Sequence, residues 1–148
     1  MAMDAAFVGR VFSYPVEYQV GAEKIREFAA AIGDANPSYT DAAVARAGGH
    51  ADVIAPPTFA ATVASAAQDA VLFDPELGLD FSRVVHGDQR FRYRRAIVAG
   101  DRLRCTVHID SIRTVAGNDI IGLRTEVVDA GGEPVLTALA TLVSRGAA

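Results

Sequence analysis

Phe59 to Phe73 reads FAATVASAAQDAVLF, a run that is apolar nearly all round and rich in alanine. Thr62, Ser65, Gln68 and Asp69 interrupt it, so it is too short and too polar to cross a bilayer. A helix of this kind is buried, and its small side chains let a sheet approach closely on several sides. Thr58, Thr62, Ser65 and Asp69 form its polar stripe. Pro56 and Pro57 precede it, and proline is tolerated in a first turn, where its missing N–H is no loss.

Beyond this helix the period of the pattern changes to two. Gln89, Phe91 and Tyr93 alternate with arginines, and Leu103, Cys105, Val107 and Ile109 alternate with Arg104, Thr106, His108 and Asp110. Ile121, Leu123, Thr125 and Val127 follow, then Val135, Thr137, Leu139, Thr141 and Val143. Ala99-Gly100-Asp101, Ala116-Gly117-Asn118 and Asp129-Ala130-Gly131-Gly132 supply the turns. Before the helix, Arg10 to Val20 mixes β-formers with Pro15 and predicts an extended piece or edge strand. Ile25, Phe28, Ala29 and Ile32 repeat at helical spacing over Glu23 to Ile32, with Gly33 as a stop. Asp41 to Ala47 predicts a short helix capped by Thr40 or Asp41 and ended by Gly48-Gly49. Four half-buried strands after one buried helix make an α+β fold, an antiparallel sheet curled around that helix.

The 148 residues carry no repeat or linker and suit one domain spanning 1–148. Hydrophobic residues make up 51%, which excludes a disordered chain. The net charge of −4 argues against a nucleic-acid partner, which usually meets a basic excess. Arg90, Arg92, Arg94 and Arg95 are the one basic cluster; they suit a solvated outer face, or a docking patch for an acidic carrier or a phosphate. Cys105 stands alone, which excludes a disulfide framework within the chain and suits a reducing cytoplasm. Met1-Ala2-Met3-Asp4 lacks the basic start and apolar run of a signal peptide, and no membrane association is expected.

The stretch Gly33-Asp34-Ala35-Asn36-Pro37-Ser38-Tyr39 resembles the Gly-Asp-x-Asn-Pro-x-His signature of R-specific enoyl-thioester hydratases and MaoC-like dehydratases. The order of elements around it is similar too, and Ala55-Pro56-Pro57-Thr58-Phe59 resembles the helix start of actinobacterial dehydratase subunits. The resemblance runs from Gly9 to Arg145. It implies a hotdog fold, reversible loss of water from a (3R)-hydroxyacyl thioester of coenzyme A or acyl carrier protein, and no cofactor. In that family an Asp and a His of the loop move the protons, and a backbone N–H at the start of the buried helix meets the thioester oxygen. Carried over, Asp34 is the catalytic carboxylate and Asn36 orients it, but Tyr39 stands where the family has His. A phenol is a poor base at neutral pH, though it can donate a hydrogen bond or act as an acid. Pro56-Pro57 stands where the catalytic members have His-Gly, so Pro57 has no N–H to offer and Thr58 is left to provide one. The resemblance also places an apolar groove between helix and sheet, lined by Phe59, Val63 and Phe91 beside Pro57 and Thr58.

Other residues carry weaker chemistry. His50 sits in a Gly-Gly-His-Ala-Asp turn from which it could stand in for the missing base; His86 adjoins Gly87-Asp88, and His108 lies on a polar strand face. No two histidines share ligand spacing with a carboxylate, so no metal is expected. Ser65 lacks a Gly-x-Ser-x-Gly elbow, and Gly48-Gly49 lacks the spacing of a phosphate loop. Cys105 reads as a core residue. Three functions stay open: a hydro-lyase with Asp34 as its acid–base group, a non-catalytic acyl-chain-binding subunit that supports a catalytic hotdog partner, and a thioesterase using Asp69. A lone hotdog exposes an edge strand, so a homodimer or a heterodimer with another hotdog subunit is expected.

Overall fold

Alternation in the C-terminal half builds a meander of three long strands, β4 (Arg102–Val115), β5 (Asn118–Val128) and β6 (Pro134–Ser144), in the computed structural model, which describes residues 2–146. Ala116 and Gly117 both take positive φ, 50° and 77°, and make the two-residue turn whose twist matches the flanking strands. On the far side of β6 lies β3 (Val84–Tyr93), antiparallel to it, with a bulge between His86 and Asp88. The expected N-terminal strand is broken around Pro15 into β1 (Val11–Ser13) and β2 (Tyr18–Gln19), both paired with β4. The order is therefore β1-β4-β5-β6-β3, which leaves β3 as an edge strand with one unpaired side.

The central helix forms as expected. Pro57–Phe59 make a single 3-10 turn that leads into α3 (Ala60–Leu72). Its sheet-facing side carries Phe59, Ala60, Val63, Ala64, Ala67, Val71 and Leu72, all buried against Leu103, Val107, Ile121, Leu123, Val127 and Leu136. Phe59 is fully buried and meets Phe28 and Tyr18 edge-on, with ring centroids 5.3 and 6.2 Å away. Burying such a ring stabilises by about 1.5–3 kcal/mol before the aromatic contacts are counted. The helix is not enclosed on all sides, because Ala61, Ser65, Ala66, Asp69 and Ala70 are exposed. A single sheet covers one stripe of a helix, and the opposite stripe is left exposed.

Two shorter helices flank this core. The first, α1 (Ala22–Ala31), buries Ile25 and Ala29, while Ile32, expected on the same face, falls at the cap and is exposed. The second, α2 (Ala42–Ala47), is capped by Asp41, whose carboxylate accepts from the N–H groups of Ala43 and Val44. Among the described residues no helix is long and apolar enough to cross a membrane.

Candidate functional site

Gly33 ends α1 with φ +71°, a conformation glycine adopts without penalty, and turns the chain into the signature loop. The Asp34 carboxylate then accepts from the Asn36 N–H at 3.1 Å, and the Asn36 side chain accepts from the Ser38 N–H at 3.0 Å. These are two successive Asx turns, the local chemistry that Asp and Asn favour. Pro37–Tyr39 form a short 3-10 turn that carries Tyr39 inward, where it is 5% exposed while Asp34 and Asn36 remain exposed. Burial raises the Tyr39 phenol above its ordinary pKa of 10.0; the Asp34 charge and hydrogen bonding to Asp34 raise it further, against a smaller opposing pull from Asn36. The three loop residues taken from the sequence therefore converge, but as a carboxylate beside a protonated phenol.

The start of the central helix adjoins this loop. Tyr39, Pro57 and Tyr93 line one apolar hollow of about 240 Å³, together with Ile54, Ala55 and Ala96. The Tyr93 hydroxyl donates to the Pro57 carbonyl at 2.5 Å and also meets the Ala60 N–H. Its burial pushes the phenol up to about 12. Thr58 is exposed, and its N–H has no partner among the described residues. The helix start thus offers one free backbone donor, at Thr58. Tyr93 is the neighbour of this loop that the sequence left hidden. Its place on the inward face was legible, and a half-buried tyrosine hydroxyl needs a partner, but only the fold brings Pro57 to it.

A second hollow, of about 340 Å³, runs along the open side of α3. Ala61, Ser65, Gln68, Asp69 and Leu72 form one wall, and Val84, His86 and Gln89 of β3 form the other. This corrects the expected groove lining. Phe59 and Val63 point at the sheet and are sealed in the core, at 0% and 3% exposure. Phe91 packs against the core beside Tyr93, with ring centroids 6.4 Å apart. Helical spacing explains the shift: residues 59, 63 and 67 share the sheet side, and residues 61, 65 and 69 share the open side.

The other candidates disperse. His50 follows α2 and donates its backbone N–H to Ala45; no described hydrogen bond joins it to Asp34. His86 lines the groove, and His108 is half-buried opposite Arg124 on the outer sheet face. Asp69 is exposed, nine residues along from Ala60 and so about 13 Å from the helix start. Cys105 is buried, points its thiol at the Val63 carbonyl at 3.7 Å, and is pushed up to about 11 by burial. Of the arginines, Arg90, Arg92 and Arg94 are exposed, whereas Arg95 holds Asp101 at 2.8 Å and Asp129 at 3.4 Å and braces the turns at this end of the sheet. No group of His, Cys, Asp and Glu suited to a metal ion occurs among the described residues.

Against known families, residues 6–138 match the FAS1-like dehydratase domain region. The chain belongs to the MaoC-like hotdog dehydratases. It superposes on a solved MaoC-like dehydratase with a TM-score of 0.89 and 39% identity, over 96% of this chain and 43% of that one, so it spans less than half of that longer molecule. It also superposes on the C-terminally truncated HadBC (3R-hydroxyacyl-ACP dehydratase) complex of Mycobacterium tuberculosis, with a TM-score of 0.87 and 30% identity, over 97% of this chain and 99% of that one. In sequence it is 56% identical to UPF0336 protein SCO4636 of Streptomyces coelicolor over 147 residues, 99% of this chain and 98% of the relative.

Proposed function

We propose that this chain is one subunit of a paired-hotdog dehydratase acting on (3R)-hydroxyacyl thioesters of acyl carrier protein or coenzyme A, and that its own part is to hold the fatty acyl chain. The observation that carries this reading is the protonated Tyr39 phenol beside Asp34, where the family places its base. Elimination of water must take a proton from C2, protonate the departing C3 hydroxyl and stabilise charge on the thioester oxygen. Asp34 with a phenol of raised pKa lacks a base suited to the first step at neutral pH. At the helix start, Pro57 has no N–H and the Tyr93 hydroxyl spends its hydrogen on the Pro57 carbonyl, so charge on the thioester oxygen finds a single donor at Thr58.

What the chain retains is a binding surface. The hollow along α3 is bounded by an edge strand with an unpaired side, and a second hotdog domain laid against that edge would close it. The HadBC neighbour is a complex, and the MaoC-like neighbour is more than twice as long as this chain, which leaves room there for a second such domain. In this reading the chain is a single hotdog domain, works in the cytoplasm, where its one buried thiol stays reduced, and pairs with a homologue that brings the histidine.

Retention of Gly33-Asp34 and Asn36-Pro37 in their turn geometry favours a second reading, a self-sufficient dehydratase with Asp34 as its acid–base residue. Enoyl-thioester hydration separates the two. The paired reading expects no turnover by the purified chain, and turnover with a histidine-bearing hotdog partner that survives Asp34→Asn in this chain. Turnover by the chain alone that vanishes in Asp34→Asn would refute it.

A further inference from the structure

Gln68 is an anomaly in the central helix. It is 9% exposed among alanines, valines and leucines, and its side-chain nitrogen donates to Thr125 Oγ1 at 3.2 Å. Thr125 is itself fully buried on the inner face of β5, between Leu123 and Val127. The other end of the Gln68 amide has no protein partner among the described residues, yet no side-chain nitrogen or oxygen is sealed from solvent without one. The free end therefore opens into the hollow along α3, which Gln68 lines. On the facing wall, Gln89 spends its own nitrogen on the Leu139 carbonyl at 3.1 Å and also lines the hollow. Two anchored amides thus face one otherwise largely apolar channel.

We infer that Gln68, assisted by Gln89, is a specificity determinant that reads a hydroxyl group carried on the distal part of the acyl chain. This rests on the reading of the hollow as the acyl site. A plain alkyl chain filling the hollow would strip water from the free end of Gln68 and return nothing, whereas a hydroxyl restores the lost hydrogen bond. Because a hydroxyl both donates and accepts, it satisfies that end whichever way the amide is turned. The anchor to Thr125 holds the amide in place, so recognition costs little further ordering. Position follows from the helix: Gln68 lies eight residues beyond Ala60, about 12 Å along the axis from the helix start, where the proposed function puts the thioester. At about 1.3 Å of advance per carbon–carbon bond, that places the hydroxyl near the ninth or tenth carbon.

The test is calorimetric titration of the purified chain with dodecanoyl-CoA and 10-hydroxydodecanoyl-CoA, for the wild type, Gln68→Met and Thr125→Val. The wild type is expected to bind the hydroxylated chain about tenfold more tightly. Gln68→Met should abolish that preference by strengthening binding of the plain chain, and Thr125→Val should weaken it by releasing the anchor. Circular dichroism checks that both variants fold, and each variant alone suffices if the other does not. Equal binding of the two ligands by the wild type would overturn the inference and leave the acyl site standing. Binding of neither would overturn both.

Discussion

Replacing Tyr39 by histidine tests the central claim, because it restores the residue type that the loop lacks. The Tyr39 phenol lies above its ordinary pKa of 10.0, raised by burial and by the neighbouring Asp34 charge. At pH 7 fewer than about one molecule in a thousand therefore carries the phenolate, whereas an imidazole near its ordinary value of ~6.5 is mostly free base. The substitution raises the population of competent base by about three orders of magnitude, and a positioned general base contributes about 10²–10⁴ in rate. The helix start limits what can be recovered. Pro57 supplies no donor and the Tyr93 hydroxyl hydrogen is already given to the Pro57 carbonyl, and one absent oxyanion donor costs about 10²–10³. Tyr39→His alone should therefore lift the isolated chain by only about tenfold. Tyr39→His with Pro57→Gly, which adds an N–H, should gain a further factor of about 10².

The assay is loss of absorbance of a crotonyl or longer enoyl thioester, with each variant's fold checked by circular dichroism. The reasoning fails if the wild-type chain alone hydrates as fast as the double variant, because a phenol would then be doing what its protonation state forbids. It also fails if Tyr39→Phe and Tyr39→His have equal activity in a folded chain.

Further outcomes follow from the packing. Phe59→Ala removes a fully buried ring with two edge-on aromatic contacts and should cost about 3–5 kcal/mol by urea denaturation; a loss below about 1 kcal/mol would mean the site collapses freely. Gly33→Ala meets no atom within 4 Å, so its cost is conformational, about 1 kcal/mol at φ +71°, and an unchanged midpoint would contradict it. Tyr93, at about 12 in the fold against 10.0 unfolded, binds its proton more tightly when folded. Its stability contribution is therefore full below pH 10 and lost as pH rises from 10 to 12, by about 1 kcal/mol once discounted for a half-buried group. Tyr93→Phe should flatten that alkaline decline in thermal melts. Cys105 should resist a disulfide reagent at pH 8 in the folded chain, given a thiol pushed up to about 11, and rapid modification would show that the core opens.

How much of this was legible depended on whether a feature was local or assembled. Strand alternation, the turn residues and the caps at Gly33 and Asp41 carry their instructions within a few residues and formed accordingly, except that β6 buries Leu136, Ala138, Ala140 and Leu142 and turns Thr137, Leu139, Thr141 and Val143 to the other face. The signature loop was legible for the same reason, since Asx turns and a proline-initiated turn set the positions of Asp34, Asn36 and Tyr39. Features that need two distant segments were not. Tyr93 reaching Pro57 joins residues 36 apart, and Gln68 meeting Thr125 joins residues 57 apart. In sequence Arg95 reads as one of a cluster of four arginines, whereas Asp101 and Asp129 claim it from two separate turns.

The misplaced groove has a more general cause. The polar stripe of Thr58, Thr62, Ser65 and Asp69 marks the open side of the helix, but the apolar remainder states how much burial it needs and not which neighbour supplies it. The resemblance gives Phe59 and Val63 to the ligand, whereas the sheet claims them, and Ala61, Ala66 and Ala70 face outward. Alanines there contribute little to solubility and leave room for close approach; Ala61 lines the hollow beside the unpaired β3 edge, and Ala70 lines a second hollow beside β1. In the proposed pairing, the excess of apolar pattern over burial within the protomer is the surface that the partner covers. A second hotdog domain accounts for that excess better than the acyl chain alone, because a chain filling the hollow would cover Ala61 and Leu72 but leave the β3 edge unpaired. If the proposed pairing holds, charge placed at Ala66 or Ala70 should weaken assembly before it alters the fold of the protomer. Ala66→Glu should lower the apparent mass in sedimentation without shifting the far-ultraviolet spectrum, and an unchanged mass would remove α3's open face from the interface.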